Sequence, residues 1–167
     1  MEFDKNDCCF VRDGNRFRYR AGAIIVENGC LLLVTNDASD YYYSVGGGVH
    51  IGETSADAVV REVKEETGVD YEIDRLAVVH ENFFCTDSGV NKGLIRHELS
   101  LFYLMKPRGT QEIHSDSYCP DGKEFLEWVP FNKLDKVRFY PEFLREFLKD
   151  GKLCMPDGVV RKVTNDL

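Results

Sequence analysis

The spacing of apolar and polar positions changes several times along the chain, and each change marks an element. Arg16, Phe17, Arg18, Tyr19 and Arg20 alternate charged and aromatic side chains, the period of two expected of a strand with two unlike faces. The pattern then becomes continuous. Ala23-Ile24-Ile25-Val26 and Cys30-Leu31-Leu32-Leu33-Val34 flank Glu27-Asn28-Gly29. Asn-Gly suits a primed turn, so residues 16–34 read as a hairpin. Unbroken apolar runs predict central strands buried on both faces. Asn36 to Asp40 is a polar loop, and Tyr41-Tyr42-Tyr43 leads into Gly46-Gly47-Gly48. Thr54 with Asp57 three residues on approaches a capping box, and Gly68 stands where a C′ glycine belongs, which predicts a helix over 55–67. Strand-like runs follow at 73–80, 99–105 and 125–129. Phe143, Leu144, Phe147 and Leu148 share one face of a second predicted helix over 141–148. Strands mixed with two helices predict an α/β or α+β sandwich with a helix on each side of the sheet.

The chain has 167 residues, the size of one domain. No apolar run approaches the roughly 20 residues of a membrane span, and the charged N-terminal stretch has no apolar signal core, which points to a cytoplasmic protein. Acidic residues outnumber basic ones 29 to 21, for a net charge of −8. That balance argues against nucleic acid or an anionic membrane surface as partner. It leaves room for an anionic small molecule held through a cation. Six cysteines without a C-x-x-C pair read as reduced thiols.

The informative chemistry lies in the 55–67 helix. Glu62, Glu65 and Glu66 are related by i+3 and i+4, so three carboxylates share one face. They repel one another and sit toward the negative end of the helix dipole. Lys64 points elsewhere, and Arg61 can pair with Glu65 but offsets only part of the charge. The missing positive charge is most simply a divalent cation. All-oxygen ligands suit magnesium, manganese or calcium rather than zinc, and a site with few ligands suits magnesium bound together with phosphates. The glycine run lets backbone groups approach such a ligand closely.

The spacing Gly47-x5-Glu53-x7-Arg61-Glu62-Val63-x-Glu65-Glu66-x-Gly68-Val69 matches every position of the Nudix box. With each residue type at about 5–10% of positions, a chance match per register is on the order of one in 10⁹. The chain therefore resembles the Nudix hydrolases. The flanking strands and late helix extend the resemblance over residues 16–150, with 1–15 as an N-terminal extension and 151–167 as a tail packed on or extending the domain. The resemblance implies an α/β/α sandwich around a mixed central sheet. It implies metal-dependent hydrolysis of a diphosphate linkage in a nucleoside diphosphate derivative, with water as nucleophile and Mg2+ or Mn2+ as cofactor. By matching positions, Glu62 and Glu66 would be the main metal ligands. Glu65 would be a further ligand or an activator of water, and the Gly46 carbonyl would complete the metal site. Arg61 would orient the glutamates and Glu53 would brace the loop. Val45 and His50 depart from frequent family residues without touching the carboxylates.

An acid outside the box would serve as general base. Glu98, Glu112, Asp121, Glu124 and Glu127 are candidates, and Glu124 and Asp121 precede the Trp128 strand, where such an acid is often found. Arg16, Arg18 and Arg20 share a strand face and could meet phosphates. Tyr43 and Phe83 could stack on a base. The positions that mark two subfamilies hold Cys85 and Thr86, so neither marker is present. The family contains monomers and homodimers, and the alternative to an enzyme is a non-catalytic module that senses the same ligand.

Overall fold

The structure, a computed structural model, describes residues 6–37, 39–85, 92–116, 118–119 and 122–167. In chain order its elements are β1 (Cys9–Arg12), β2 (Asn15–Ile24), β3 (Val26–Glu27), β4 (Cys30–Asn36), β5 (Tyr42–Ser44), β6 (Gly46–Gly48), α1 (Ser55–Thr67), β7 (Ile73–Cys85) and β8 (Ile95–Met105). These are followed by β9 (Tyr118–Cys119), β10 (Gly122–Pro130), β11 (Phe139–Tyr140), β12 (Leu148–Lys149), β13 (Lys152–Leu153) and β14 (Val160–Asp166). Two 3-10 turns, Phe131–Lys136 and Glu142–Phe147, lie on either side of β11.

The strands form two main sheets. The first runs β1-β2-β8-β7-β14, with β6 also paired to β2. It is mixed: β2–β8 and β7–β14 are parallel, and its other pairs are antiparallel. The second runs β11-β5-β4-β10-β9, with β3 also on β4. Residues 9–12 and 160–166, outside the segment that matches the family pattern most directly, form the two edge strands of the first sheet.

The apolar runs are buried on both faces, as their continuity predicts. Leu32 and Val34 join Ala21, Ala23 and Ile25 beneath Ala58, Val59 and Val63 of α1. Leu31 and Leu33 face the opposite way, with Ile24, Phe102, Phe139, Phe143 and Leu144. The fold is an α+β sandwich with α1 over one core and the 3-10 turns over the other.

Helix α1 keeps its predicted bounds. The Thr54 hydroxyl accepts a hydrogen bond from the Asp57 N–H (3.1 Å), and Gly68 closes the helix at φ 71° with its N–H on the Lys64 carbonyl. Two expectations are corrected. The predicted hairpin over 16–34 is split: β2 stays in the first sheet, and the chain crosses to the second before β3. The Asn28-Gly29 turn, with both φ positive, joins only β3 to β4. A tight turn fixes the register of its nearest pairs, whereas a run buried on both faces can pass between sheets. The second helix is a six-residue 3-10 turn rather than an α-helix. Only that length separates Pro141 from β12, too short for a stable α-helix, although Phe143, Leu144 and Phe147 are buried as their pattern requires.

Among the described residues no helix is long and apolar enough to cross a membrane. Cys8, Cys9, Cys30, Cys85 and Cys154 are free thiols.

Because the start of α1 rests on a single side-chain cap, Thr54→Ala is expected to lower unfolding stability by about 1 kcal/mol. Urea denaturation checks this, and no shift in midpoint would show that the cap is redundant.

Candidate functional site

The last two turns of α1 lie against β6, and the contact is made by carboxylates rather than apolar groups. The Gly46 N–H donates to Glu66 Oε1 at 3.0 Å. Glu66 is 7% exposed. Its Oε2 is buried and has no hydrogen-bond partner. A buried carboxylate oxygen left alone costs free energy and calls for an explanation. Burial pushes the Glu66 carboxyl up to about 8; the Gly46 N–H and Arg20 oppose the rise, while Glu124 and Glu62 add to it. Glu62 is displaced the same way, chiefly by burial, against the pull of Arg61.

Gly47 leaves room for Glu62. A Cβ at position 47 would lie 2.5 Å from the Glu62 carboxylate atoms, so any other residue would push that side chain away. Arg61 fixes the group from the other side. Its Nε and Nη2 hold both oxygens of Glu53 at 2.8 and 2.9 Å, Nη2 also donates to the Gly48 carbonyl, and Nη1 reaches Glu62 at 2.7 Å and Glu65 at 3.3 Å. These bonds hold Glu53 down at about 2, against its burial and with help from the His50 N–H. Arg61 is raised further by the same pairing. The expected Arg61–Glu65 pair is present, but Arg61 mainly ties the loop to the helix. Lys64 is turned away onto Asp70.

Glu124, outside α1, acts on Glu66 electrostatically. It is buried on β10, and its Oε1 accepts from the Tyr43 hydroxyl at 2.7 Å. Glu127 instead accepts from Tyr42 at 2.6 Å, and Glu112 pairs with His114. Glu98 lies with the arginines of β2. Asp121 falls outside the described residues.

The predicted substrate residues do not share one place. Arg20 is buried and donates to the Ser44 hydroxyl and carbonyl and to the Gly46 carbonyl at 3.1 Å. It thereby holds the glycine strand. Arg18 pairs with Glu98 at 3.8 Å on the same face of β2. Phe83 is on the other face of the sheet, stacked on His97 with ring centroids 4.3 Å apart. The alternation of β7 separates it from the arginines, so Arg18, Arg20 and Phe83 are not one cluster.

One contact escapes sequence reasoning. Asp7 bridges to His50, whose Nε2 lies 3.6 Å from Asp7 Oδ1. Its carboxylate occupies the space over Gly48 where a Cβ would be 2.3–2.4 Å away. Neighbouring backbone bonds, Cys8 N–H to the Val49 carbonyl and Ile51 N–H to the Asn6 carbonyl, clip this segment to the loop. An isolated aspartate in a charged N-terminal stretch carries no periodicity that could have signalled this.

Among the described residues, no three His, Cys, Asp or Glu side chains already converge at coordinating spacing. The donor chemistry nevertheless fits a hard divalent cation. Glu62 and Glu66 offer carboxylate oxygens beside the glycine strand, one of those oxygens is buried without a partner, and Glu65, with its side chain 57% exposed, is free to swing.

Comparison with known proteins bears on the family and the fold. A family profile described as "NUDIX domain" matches residues 16–150. A "MutT-like protein" of Streptomyces ambofaciens is 33% identical over 146 residues, covering 83% of this chain and 86% of that one. An "ADP-ribose pyrophosphatase" of Methanocaldococcus jannaschii is 28% identical over 131 residues, covering 77% and 70%. The crystal structure of a MutT protein from Methanosarcina mazei superposes with a TM-score of 0.60 at 17% identity, covering 81% of this chain and 92% of that one.

The raised Glu66 carboxyl sets a sign for stability without metal. Below the ordinary carboxyl range, about 4.3, Glu66 is neutral folded and unfolded and costs nothing. Between there and about 8 only the unfolded chain ionises, so metal-free stability falls as pH rises, then levels off. In chelator, Glu66→Gln should match wild type near pH 4 and exceed it at pH 9 by an amount of the order of a few kcal/mol. Urea unfolding at the two pH values checks this; a less stable variant at pH 9 would contradict it.

Proposed function

This chain belongs to the Nudix family, and on that premise we propose that it hydrolyses the diphosphate linkage of a nucleoside diphosphate derivative using Mg2+ or Mn2+. The observation that carries the reading is the buried, unpartnered Glu66 Oε2 within a carboxylate group built against a glycine strand. The relative from Methanocaldococcus jannaschii, an ADP-ribose pyrophosphatase by name, supports the substrate class.

In this reading Glu62 and Glu66 hold the cation with Glu65, and the Gly46 carbonyl offers its second lone pair beside Arg20. When bound, the cation neutralises phosphate oxygens and makes a water molecule more acidic. Arg61 and Glu53 are positioning residues: their bidentate pair fixes the loop, and the remaining Arg61 nitrogen aims Glu62. Arg20 is likewise a positioning residue, because its donors hold Ser44 and Gly46. Glu124 is the general base. Its Oε1 is held by Tyr43, and the carboxylate takes the proton of the attacking water. The new oxygen–phosphorus bond forms as the bridging oxygen leaves with the other phosphate. All three box glutamates are present, so nothing favours a sensor that binds without cutting.

Chelation is expected to abolish turnover of a panel of nucleoside diphosphate sugars and dinucleotides. Glu62→Gln and Glu66→Gln should each lower kcat by at least 10²-fold with an unchanged circular dichroism spectrum. Glu124→Gln should lower kcat by about 10²–10⁴-fold. Steady-state kinetics with each variant checks these values, and full activity of Glu66→Gln would refute the assigned site.

A further inference from the structure

The segment before β1 precedes the stretch matched by the family profile, residues 16–150, yet its backbone is built into the glycine loop. Three hydrogen bonds close a ring. The Cys8 N–H donates to the Val49 carbonyl (2.8 Å), the Val49 N–H to the Tyr19 carbonyl (3.1 Å) and the Tyr19 N–H to the Cys8 carbonyl (3.0 Å). The Ile51 N–H adds a bond to the Asn6 carbonyl at 2.6 Å. The ring lies where one edge of β2 passes from one partner to the next: β1 pairs with it up to Arg18, opposite Cys9, and β6 pairs with it from Arg20, opposite Gly48.

This backbone frame aims one side chain. Positions 47 and 48 of β6 face opposite ways, because side chains alternate along a strand. A Cβ at position 47 would lie 2.5 Å from the Glu62 carboxylate, and one at position 48 would lie 2.3–2.4 Å from the Asp7 carboxylate. The glycine strand is therefore gripped between two carboxylates, one from α1 and one from the N-terminal segment. Asp7 also begins a chain of charges that ends at Glu62. Its Oδ1 is 3.6 Å from His50 Nε2, and His50 Nδ1 is 4.0 Å from Glu53 Oε2. The His50 N–H donates to the same Glu53 oxygen at 3.0 Å. Glu53 holds Arg61, which reaches both the Gly48 carbonyl and Glu62. The Asp7 side chain is only 17% exposed. Burying a carboxylate costs free energy that an apolar side chain would not, so a tie selected for stability alone would not use an aspartate here.

We propose that Asp7 is a positioning residue of the hydrolytic site. It fixes the glycine strand from the face away from Glu62 and, through His50 and Glu53, fixes Arg61 and hence Glu62. The proposal rests on the hydrolase reading above and extends that site to the N-terminal segment. Without Asp7 the strand has open space behind Gly48, and the Gly46 carbonyl and Glu62 lose their fixed separation. Misplacement by an ångström can cost about 10²-fold in rate.

The test uses the full chain, titrated calorimetrically with Mn2+ alone and assayed separately on the nucleoside diphosphate panel. Asp7→Ala is expected to weaken Mn2+ binding by about fivefold or more and to lower kcat by about 10–10²-fold. KM should stay within about twofold and the circular dichroism spectrum unchanged. Gly48→Ala drives a methyl group into the Asp7 carboxylate. It should weaken Mn2+ binding by itself but add little to Asp7→Ala, where that space is vacated. A role in the fold alone would move the unfolding midpoint and leave these quantities as they are. If Asp7→Ala does not fold, His50→Gln cuts the same link and carries the same expectation. Mn2+ affinity and kcat equal to wild type, or fully additive losses in the double variant, would overturn the role of Asp7 and leave the hydrolase reading intact. If the wild-type chain binds Mn2+ but cleaves no member of the panel, the hydrolase reading fails and the Mn2+ affinities decide the role of Asp7. A wild-type chain that neither binds Mn2+ nor cleaves the panel overturns both.

Discussion

A carboxylate buried where it cannot be charged at no cost is the constraint on which the rest of the structure depends. Glu66 has one oxygen on the Gly46 N–H and one on nothing, at the unfavourable end of a helix and beside two further acids. Desolvation dominates its free energy, and the one backbone hydrogen bond does not offset it. A cation between Glu62 and Glu66 would remove this cost. The metal-free fold holds the group in place through surrounding contacts that tolerate the strain.

Those contacts explain the local architecture. Helix α1 is anchored by Ala58, Val59 and Val63, and Glu66 is buried on the same side of the helix, so apolar packing holds the carboxylate in place. The glycine strand is held on three sides. Pairing with β2 fixes its register, Arg20 binds its Gly46 carbonyl, and Arg61 joins its Gly48 carbonyl to Glu53 and the helix. The Asp7–His50 clip adds a fourth restraint from a segment that continues as an edge strand. Positioning residues therefore outnumber the groups that would touch the reacting atoms, as expected when small displacements of catalytic groups are costly.

The sequence made the helix and its acids legible because both obey local rules. Thr54 and Gly68 cap α1 within the bounds their types predict, and a spacing of three and four residues leaves the glutamates no other arrangement. The two-sided burial of Leu31 to Val34 could likewise be read from an unbroken run. Features governed by distant parts of the chain were hidden. Nothing local shows that β2 and β4 belong to different sheets, or that residues 142–147 have room only for a 3-10 turn. Arg20 reads as a ligand for phosphate because its alternation with Phe17 and Tyr19 is visible, whereas the loop carbonyls it meets lie 24 and 26 residues away. Buried Glu27 is the same kind of case. It sits beside the predicted turn, yet its carboxylate accepts from the N–H groups of Arg108 and Gly109.

The most direct test of the central claim is crystallographic: crystals soaked in manganese, with data collected to record its anomalous scattering. The account predicts a peak between Glu62 and Glu66, about 2.1 Å from an oxygen of each, with Glu66 Oε2 among the ligands. Difference density for the protein alone, with Glu62 still bound to Arg61 and Glu66 Oε2 still solitary at saturating metal, would contradict it.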